Sequence, residues 1–292
     1  MSTTPDLSGK TVVVTGATGG IGLEAAVVFA RAGARVAIVG RDAARAEAAL
    51  AAIRQRSGST TVEARLCDFS SQAAVRRLAA GLADDHARID VLVNNAGSVH
   101  RRRTLTEDGI EATFAVNHLG PFLLTNLLLD RLLAGAPARI VNVASTQHYE
   151  GTLDFDDLGF ERGYGILRAY ARSKLANVLF TRELARRLAG AGVTVNALHP
   201  GKVATGIWSH GAPPWARAPF AAVFAAARPF MLTPERGAQT IVHLATAPEV
   251  AGMTGLYFEK NRPKPPSVLA RDDALARRLW DASARLVRLE SA

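Results

Sequence analysis

At 292 residues and 48% hydrophobic, the chain can bury a sizeable core as one domain. Its single cysteine, Cys67, excludes an internal disulfide, and no His or Cys spacing suits a zinc or haem site, so no metal and a reducing, cytoplasmic setting are expected. The net charge of +9 is spread over Ala- and Arg-rich helical patterns with acidic neighbours, and only Arg101-Arg102-Arg103 forms a run, so no nucleic-acid surface is expected.

The N-terminal segment has no charged or apolar signal region, and nowhere do eighteen apolar residues run together, so neither a signal peptide nor a membrane span is expected. Strands are predicted at 11–15, 35–39, 61–66, 90–93, 139–143, 193–198 and 255–258. Between them, helices are predicted at 20–32, 42–56, 70–86, 106–133, 166–189, 233–247 and 268–289. Apolar strands separated by helices specify an α/β fold: a doubly wound parallel sheet of the Rossmann type, about seven strands, with helices on both faces. No linker divides 1–292 into smaller units. Thr104 followed by Glu107 reads as a capping box, and Thr233-Pro234 as a cap ahead of a proline at the first helical position. Residues 203–232 interrupt the rhythm with Ile207, Trp208, Trp215, Phe220, Phe224 and Phe230, and are expected to form an apolar lid.

The first strand runs into Thr15-Gly16-Ala17-Thr18-Gly19-Gly20-Ile21-Gly22 and then a helix. Glycines at 16, 20 and 22 allow a tight turn and let a pyrophosphate approach the positive end of that helix, which points to a dinucleotide. Further on, Tyr170 and Lys174 stand one turn apart on the helix predicted at 166–189, so both project from one face. A unit positive charge about 5 Å from the phenolic oxygen, at an effective dielectric of ~20, favours phenolate by about 3 kcal/mol, or roughly two pKa units. Such a tyrosine could exchange a proton at working pH. By itself the pair is more often an aromatic packed beside a solvated cation.

The glycine loop, Asn94-Asn95-Ala96-Gly97, Asn117, Ser145, Tyr170 with Lys174, and His199-Pro200-Gly201, in that order, resemble the short-chain dehydrogenase/reductase family over nearly the whole chain. Phe114 to Phe122, Ala169 to Asn177 and Arg278 to Ser283 resemble its retinol-dehydrogenase-like branch. The resemblance implies that Tyr170 passes a proton to or from the substrate oxygen and that Ser145 hydrogen-bonds the same oxygen. It implies that Lys174 lowers the tyrosine pKa and binds the nicotinamide ribose, and that Asn117 holds a water linking the lysine to solvent. For the cofactor it implies contacts from Gly16, Thr18, Gly20, Ile21 and Gly22, then Asp68 at the adenine, Asn94 and Gly97 beside its ribose, and Pro200, Gly201, Val203 and Thr205 towards the nicotinamide. Asp68 could instead cap the next helix, and His199 is read as packed. Ser145 and Tyr170 enclose an insert, Tyr149 to Arg168, that carries Asp154, Asp156 and Asp157 and is wider than in small members.

The second strand ends Ile38-Val39-Gly40-Arg41, so the position where an NAD enzyme usually places a carboxylate against the ribose is not acidic and a guanidinium follows immediately, and NADP(H) is expected over NAD(H). Asp42 is read as a helix cap. The expected substrate is a small hydrophobic alcohol, aldehyde or ketone, with subunits pairing through the two long helices in the manner of the family. Two other readings are a dinucleotide-binding sensor or scaffold without turnover, and a light-dependent or chlorophyll-precursor reductase.

Overall fold

The computed structural model describes residues 5–203 and 231–289. The β-branched run Thr11–Thr15 forms β1, followed by α1 (Gly20–Arg31), β2 (Arg35–Gly40), α2 (Ala43–Ser57), β3 (Val62–Leu66), α3 (Gln72–Asp85) and β4 (Val91–Asn94). The second half brings β5 (Ala138–Val143), α7 (Ile166–Arg187), β6 (Val193–His199), α8 (Pro234–Thr246), β7 (Tyr257–Glu259), β8 (Arg262–Pro263) and α9 (Asp273–Leu286). Between β4 and β5 the chain makes α4 (Ala112–Phe114), a π-helical turn at Ala115–Leu119, α5 (Gly120–Leu127) and α6 (Leu129–Ala134).

The strands join one sheet in the order β3-β2-β1-β4-β5-β6-β7-β8, parallel up to β7. The chain walks outward from β1 through β3, then returns to pair β4 against the other side of β1, and the crevice at that reversal is where such sheets bind ligands. Period-2 alternation divides the core: Val13 faces α3, α5 and α7, while Val12 and Val14 face α1 and α8. An eighth strand joins the seven predicted. It pairs antiparallel with β7 across the two-residue turn Lys260-Asn261, whose φ values of 51° and 63° are those of a tight hairpin. Two exposed residues, one a proline, carry no strand pattern of their own.

The helix predicted over 106–133 begins only at Ala112. The expected capping box at Thr104 is replaced by a turn in which Gly109 takes φ +76° and Leu105 bridges to Glu111, and the Glu111 carboxylate then accepts from the Thr113 and Phe114 amides at 2.8 Å each. Glu107 and Asp108 serve the neighbouring helix instead: Glu107 accepts from the Ser71 hydroxyl, and Asp108 from the Gln72 amide at 2.9 Å. In α8 the cap is as expected, with Thr233 accepting from the Arg236 amide at 3.4 Å ahead of Pro234.

The last predicted helix opens with a 3₁₀ turn at Leu269–Arg271 and becomes α9, capped by Asp272, which accepts from the Ala274 and Leu275 amides at 2.8 and 2.9 Å. α9 lies across α7 and α5. Trp280 meets Phe122 edge-on at 4.9 Å between centroids, Arg187 stacks 4.1 Å over the Trp280 ring, and His118 Nε2 pairs with the Ser283 hydroxyl at 2.8 Å. The expected lid residues, Ile207 to Phe230, lie outside the described residues.

Candidate active site

At the carboxyl end of β1 the chain turns at Gly16 with φ +67°, and a side chain there would place its Cβ 2.8 Å from the Ala96 Cα. The close approach is held by Thr15, whose hydroxyl accepts from the Asn95 and Ala96 amides at 2.9 Å each. Asn95 Nδ2 donates in return to the carbonyls of Thr15 (2.9 Å) and Gly16 (3.1 Å). The loops after β1 and β4 therefore form one rigid surface. Gly22 stands behind it, where a Cβ would come 2.5 Å from Asn95 Nδ2, so this glycine serves packing of helix on loop.

A cavity of about 740 Å³ follows this surface along the sheet's carboxyl edge. Gly16, Thr18, Gly20 and Ile21 line one stretch, Arg41 and Asp68 the wall beyond, Gly97 the floor, and Ser145, Tyr170, Lys174, Pro200, Gly201 and Val203 the far end. Asp42 caps α2, accepting from the Arg45 amide at 2.8 Å. Arg45, in the first turn of α2, lines the same cavity as Arg41, a second guanidinium the sequence reading missed. Asp68 is not the cap of α3. It accepts from the Ser70 amide (2.9 Å) and hydroxyl (2.8 Å), while Ser71 caps the helix through the Ala74 amide at 3.2 Å.

Asn94 requires a correction. Its side chain is buried within the sheet, donating to Thr125 Oγ1 at 2.9 Å and Asn142 Oδ1 at 2.8 Å, and it is Asn95 that lines the cavity. Neighbouring residues of a strand face opposite ways, and in a strand covered on both sides the pattern does not tell which asparagine faces the ligand. Thr205 lies outside the described residues.

Ser145 follows β5 and opens the 3₁₀ turn Thr146–Glu150, its hydroxyl accepting from the Gln147 amide at 3.2 Å. The same hydroxyl faces the Tyr170 phenol and favours its charged form. Lys174 donates to the Val143 carbonyl at 2.9 Å, with Nζ 5.6 Å from the centre of the Tyr170 ring. Burial pushes the phenol up to about 12, against the opposing pull of the Ser145 hydroxyl, and pushes Lys174 down to about 8. The expected depression of the phenol by the ammonium is thus not found in the chain's own geometry, where desolvation is the largest cause at both groups.

Asn117 sits in the π-helical turn and does not reach the cavity wall. Its Oδ1 accepts from the Ser98 amide at 2.7 Å, and its Nδ2 donates to the Ser98 carbonyl and the Ser173 hydroxyl at 3.0 Å each. Those bonds clamp the loop after β4 to α7 one residue before Lys174. His199 does line the cavity, with its imidazole pushed down to about 4 chiefly by burial and its Nδ1 without a hydrogen-bond partner among the described residues. Arg172 of α7 is buried and donates into the insert, to the carbonyls of Thr152 (3.1 Å), Asp157 and Leu158 (3.1 Å), stacking 3.5 Å over Phe160. Asp154 and Asp157 accept from backbone amides of the same insert, so these carboxylates shape turns. Among the described residues no group of three His, Cys, Asp or Glu could hold a metal, and no helix is long and apolar enough to cross a membrane.

A glycine loop at a topological switch point, opening into an elongated cavity with a phenol, a hydroxyl and an ammonium at one end, defines a Rossmann-type oxidoreductase site. The short chain dehydrogenase profile matches residues 10–213. Human retinol dehydrogenase 13 is 46% identical over 289 residues, covering 98% of this chain and 86% of that protein. The crystal structure of an uncharacterised protein from Mycobacterium paratuberculosis superposes with a TM-score of 0.78 at 34% identity, covering 98% and 96% of the two chains. The Pseudomonas aeruginosa RhlG/NADP active-site complex gives 0.65 at 32% identity, covering 87% and 95%. The chain belongs to the short-chain dehydrogenase/reductase family, in its retinol-dehydrogenase-like branch, and is an oxidoreductase acting on CH–OH groups.

Proposed function

We propose that this protein is an NADP(H)-dependent oxidoreductase that interconverts a hydrophobic alcohol and its aldehyde or ketone, with Tyr170 as the general acid and base. The observation that carries this reading is the single cavity that has Arg41 and Arg45 at one end and Ser145, Tyr170 and Lys174 at the other. Its volume of about 740 Å³ and its glycine-lined wall fit a dinucleotide, and two guanidiniums suit a 2′-phosphate, which Arg recognises through paired donors. When bound, the nicotinamide supplies or accepts the hydride.

The chain's residues handle the proton and the charge. Held at about 12, the Tyr170 phenol is protonated at neutral pH and stands ready to donate to a carbonyl oxygen. Ser145, beside the phenol, offers a second contact to the same oxygen and offsets the charge that develops there. Lys174, anchored on the Val143 carbonyl, presents its remaining N–H donors to the ribose hydroxyls. Asn117 keeps α7 in register with the floor of the cavity. A hydrophobic substrate is supported by the likeness to a retinol dehydrogenase, and the buried Cys67 thiol suits a reducing compartment such as the cytoplasm.

The test is NADPH and NADH consumption with straight-chain aldehydes of increasing length and with retinal. A preference for NADPH of at least about tenfold is expected, with kcat/KM rising two- to fourfold per methylene until the pocket fills. A flat series, or an NADH preference, overturns the substrate or the cofactor assignment respectively, and cofactor binding without turnover on any carbonyl favours the sensor.

A further inference from the structure

His148 is fully buried in the turn that Ser145 opens, and the reaction as proposed makes no use of it. Its Nε2 lies 3.2 Å from the Ser267 amide nitrogen. A backbone amide only donates, so Nε2 accepts and the ring's proton sits on Nδ1. Nδ1 then donates to the Ser145 carbonyl at 2.6 Å. The ring packs between Tyr149 and Tyr257, at 4.1 and 4.6 Å between centroids, and the Tyr149 hydroxyl donates to the Pro265 carbonyl at 2.7 Å. Two adjacent residues thereby tie the serine's turn to the segment that follows β8.

We propose that His148, as the neutral Nδ1–H tautomer, is a positioning residue that fixes the Ser145 backbone and so keeps the serine hydroxyl aimed at the Tyr170 phenol and the substrate oxygen. The inference rests on the role given to Ser145 above. Each ring nitrogen has one partner of fixed polarity, so a second proton would break the bond to Ser267. The charged and titratable groups facing the ring are Lys264 beyond β8, His199 at the end of β6, and Tyr149 and Tyr257, with Glu259 of β7 paired to Lys264. Burial and Lys264 hold the imidazole below its ordinary value and so keep it neutral. A displacement of about 1 Å at a reacting group costs roughly 10²-fold in rate, which sets the scale of the expected effect.

Two amide substitutions separate the two bonds. In His148→Asn the amide N–H reaches the place of Nδ1 and keeps the Ser145 contact. In His148→Gln the side-chain carbonyl oxygen reaches the place of Nε2, accepts from the Ser267 amide and keeps only that bond. With NADPH and a medium-chain aldehyde, kcat of His148→Gln should fall about 10- to 100-fold, with the NADPH dissociation constant, read by fluorescence, changed less than about twofold. His148→Asn should stay within about fivefold of the parent. Combined with Ser145→Ala, His148→Gln should cost nothing further, because the group it positions is gone. With isotope-labelled histidine, the parent should show a neutral Nδ1–H imidazole by NMR that is missing from His148→Gln. Equal loss in both single variants, an undiminished cost in the Ser145→Ala background, or failure of both variants to fold assigns His148 to stability alone and overturns the proposal. Full activity of Ser145→Ala by itself instead removes the role of Ser145, a failure distinct from that of His148.

Discussion

Tyr170 and Lys174 show how burial sets the chemistry of a residue pair. Tyr170→Phe removes the transferable proton and little else, so kcat should fall by about 10² to 10⁴ while NADPH affinity, measured by fluorescence titration, stays within about twofold. Lys174 makes a second, signed prediction. Its folded pKa of about 8 is lowered by burial, so the ammonium is present below pH 8 and is lost as pH rises through it. Cofactor affinity should therefore weaken between about pH 7 and 9.5 in the parent, and the same titration of Lys174→Met should be flat. An affinity constant across that range in the parent would show that the ammonium does not contribute to binding. At the other end of the cavity, Arg41→Ala and Arg45→Ala should each raise the NADPH dissociation constant by about 10- to 150-fold, the value of one charge-assisted contact, and leave NADH within about threefold.

At the scale of elements, α9 decides what α7 and α5 can touch. Leu279 is packed into the core beneath it, Trp280 meets Phe122 of α5, and Ser283 pairs with His118 of the π-helical turn. Leu279 is 1% exposed, so Leu279→Ala should cost about 2 to 5 kcal/mol in urea unfolding through lost transfer energy and the cavity left behind. A cost below about 1 kcal/mol would mean that α9 is only loosely seated. The π-helical turn is the other element with a visible purpose. One extra residue per turn turns Asn117 towards Ser98 and Ser173, where it joins the loop after β4 to α7.

For the whole molecule, the buried histidines set an acid limit. His118 and His199 are held at about 3 and about 4 by desolvation, while an unfolded histidine titrates near ~6.5. Between those values the unfolded chain binds more protons, so stability is complete above about pH 6.5 and is lost as pH falls towards 4. Each of the two should cost about 2 kcal/mol on going from pH 7 to pH 5. The urea midpoint should drop accordingly, and His118→Gln, which keeps a polar partner for Ser283, should reduce the drop. A midpoint that does not change between pH 7 and 5 would contradict the buried neutral imidazoles.

The order of strands and helices, the glycine loop, the Tyr170–Lys174 spacing and Arg41 could be read from the chain because each is a local signal: a period, a turn requirement or one helical turn. Local signals were silent on contacts between distant segments. Nothing in Asn94-Asn95 tells which side chain faces the ligand, since that depends on Thr125 and Asn142 arriving from two other elements. Glu111, rather than Thr104, starts the long helix because the bridge to Leu105 and the left-handed Gly109 are set by how that loop meets α3. Likewise the phenol–ammonium pair had its spacing fixed by sequence and its protonation fixed by burial, for Coulomb attraction depends on the surrounding dielectric, and only the tertiary structure establishes that.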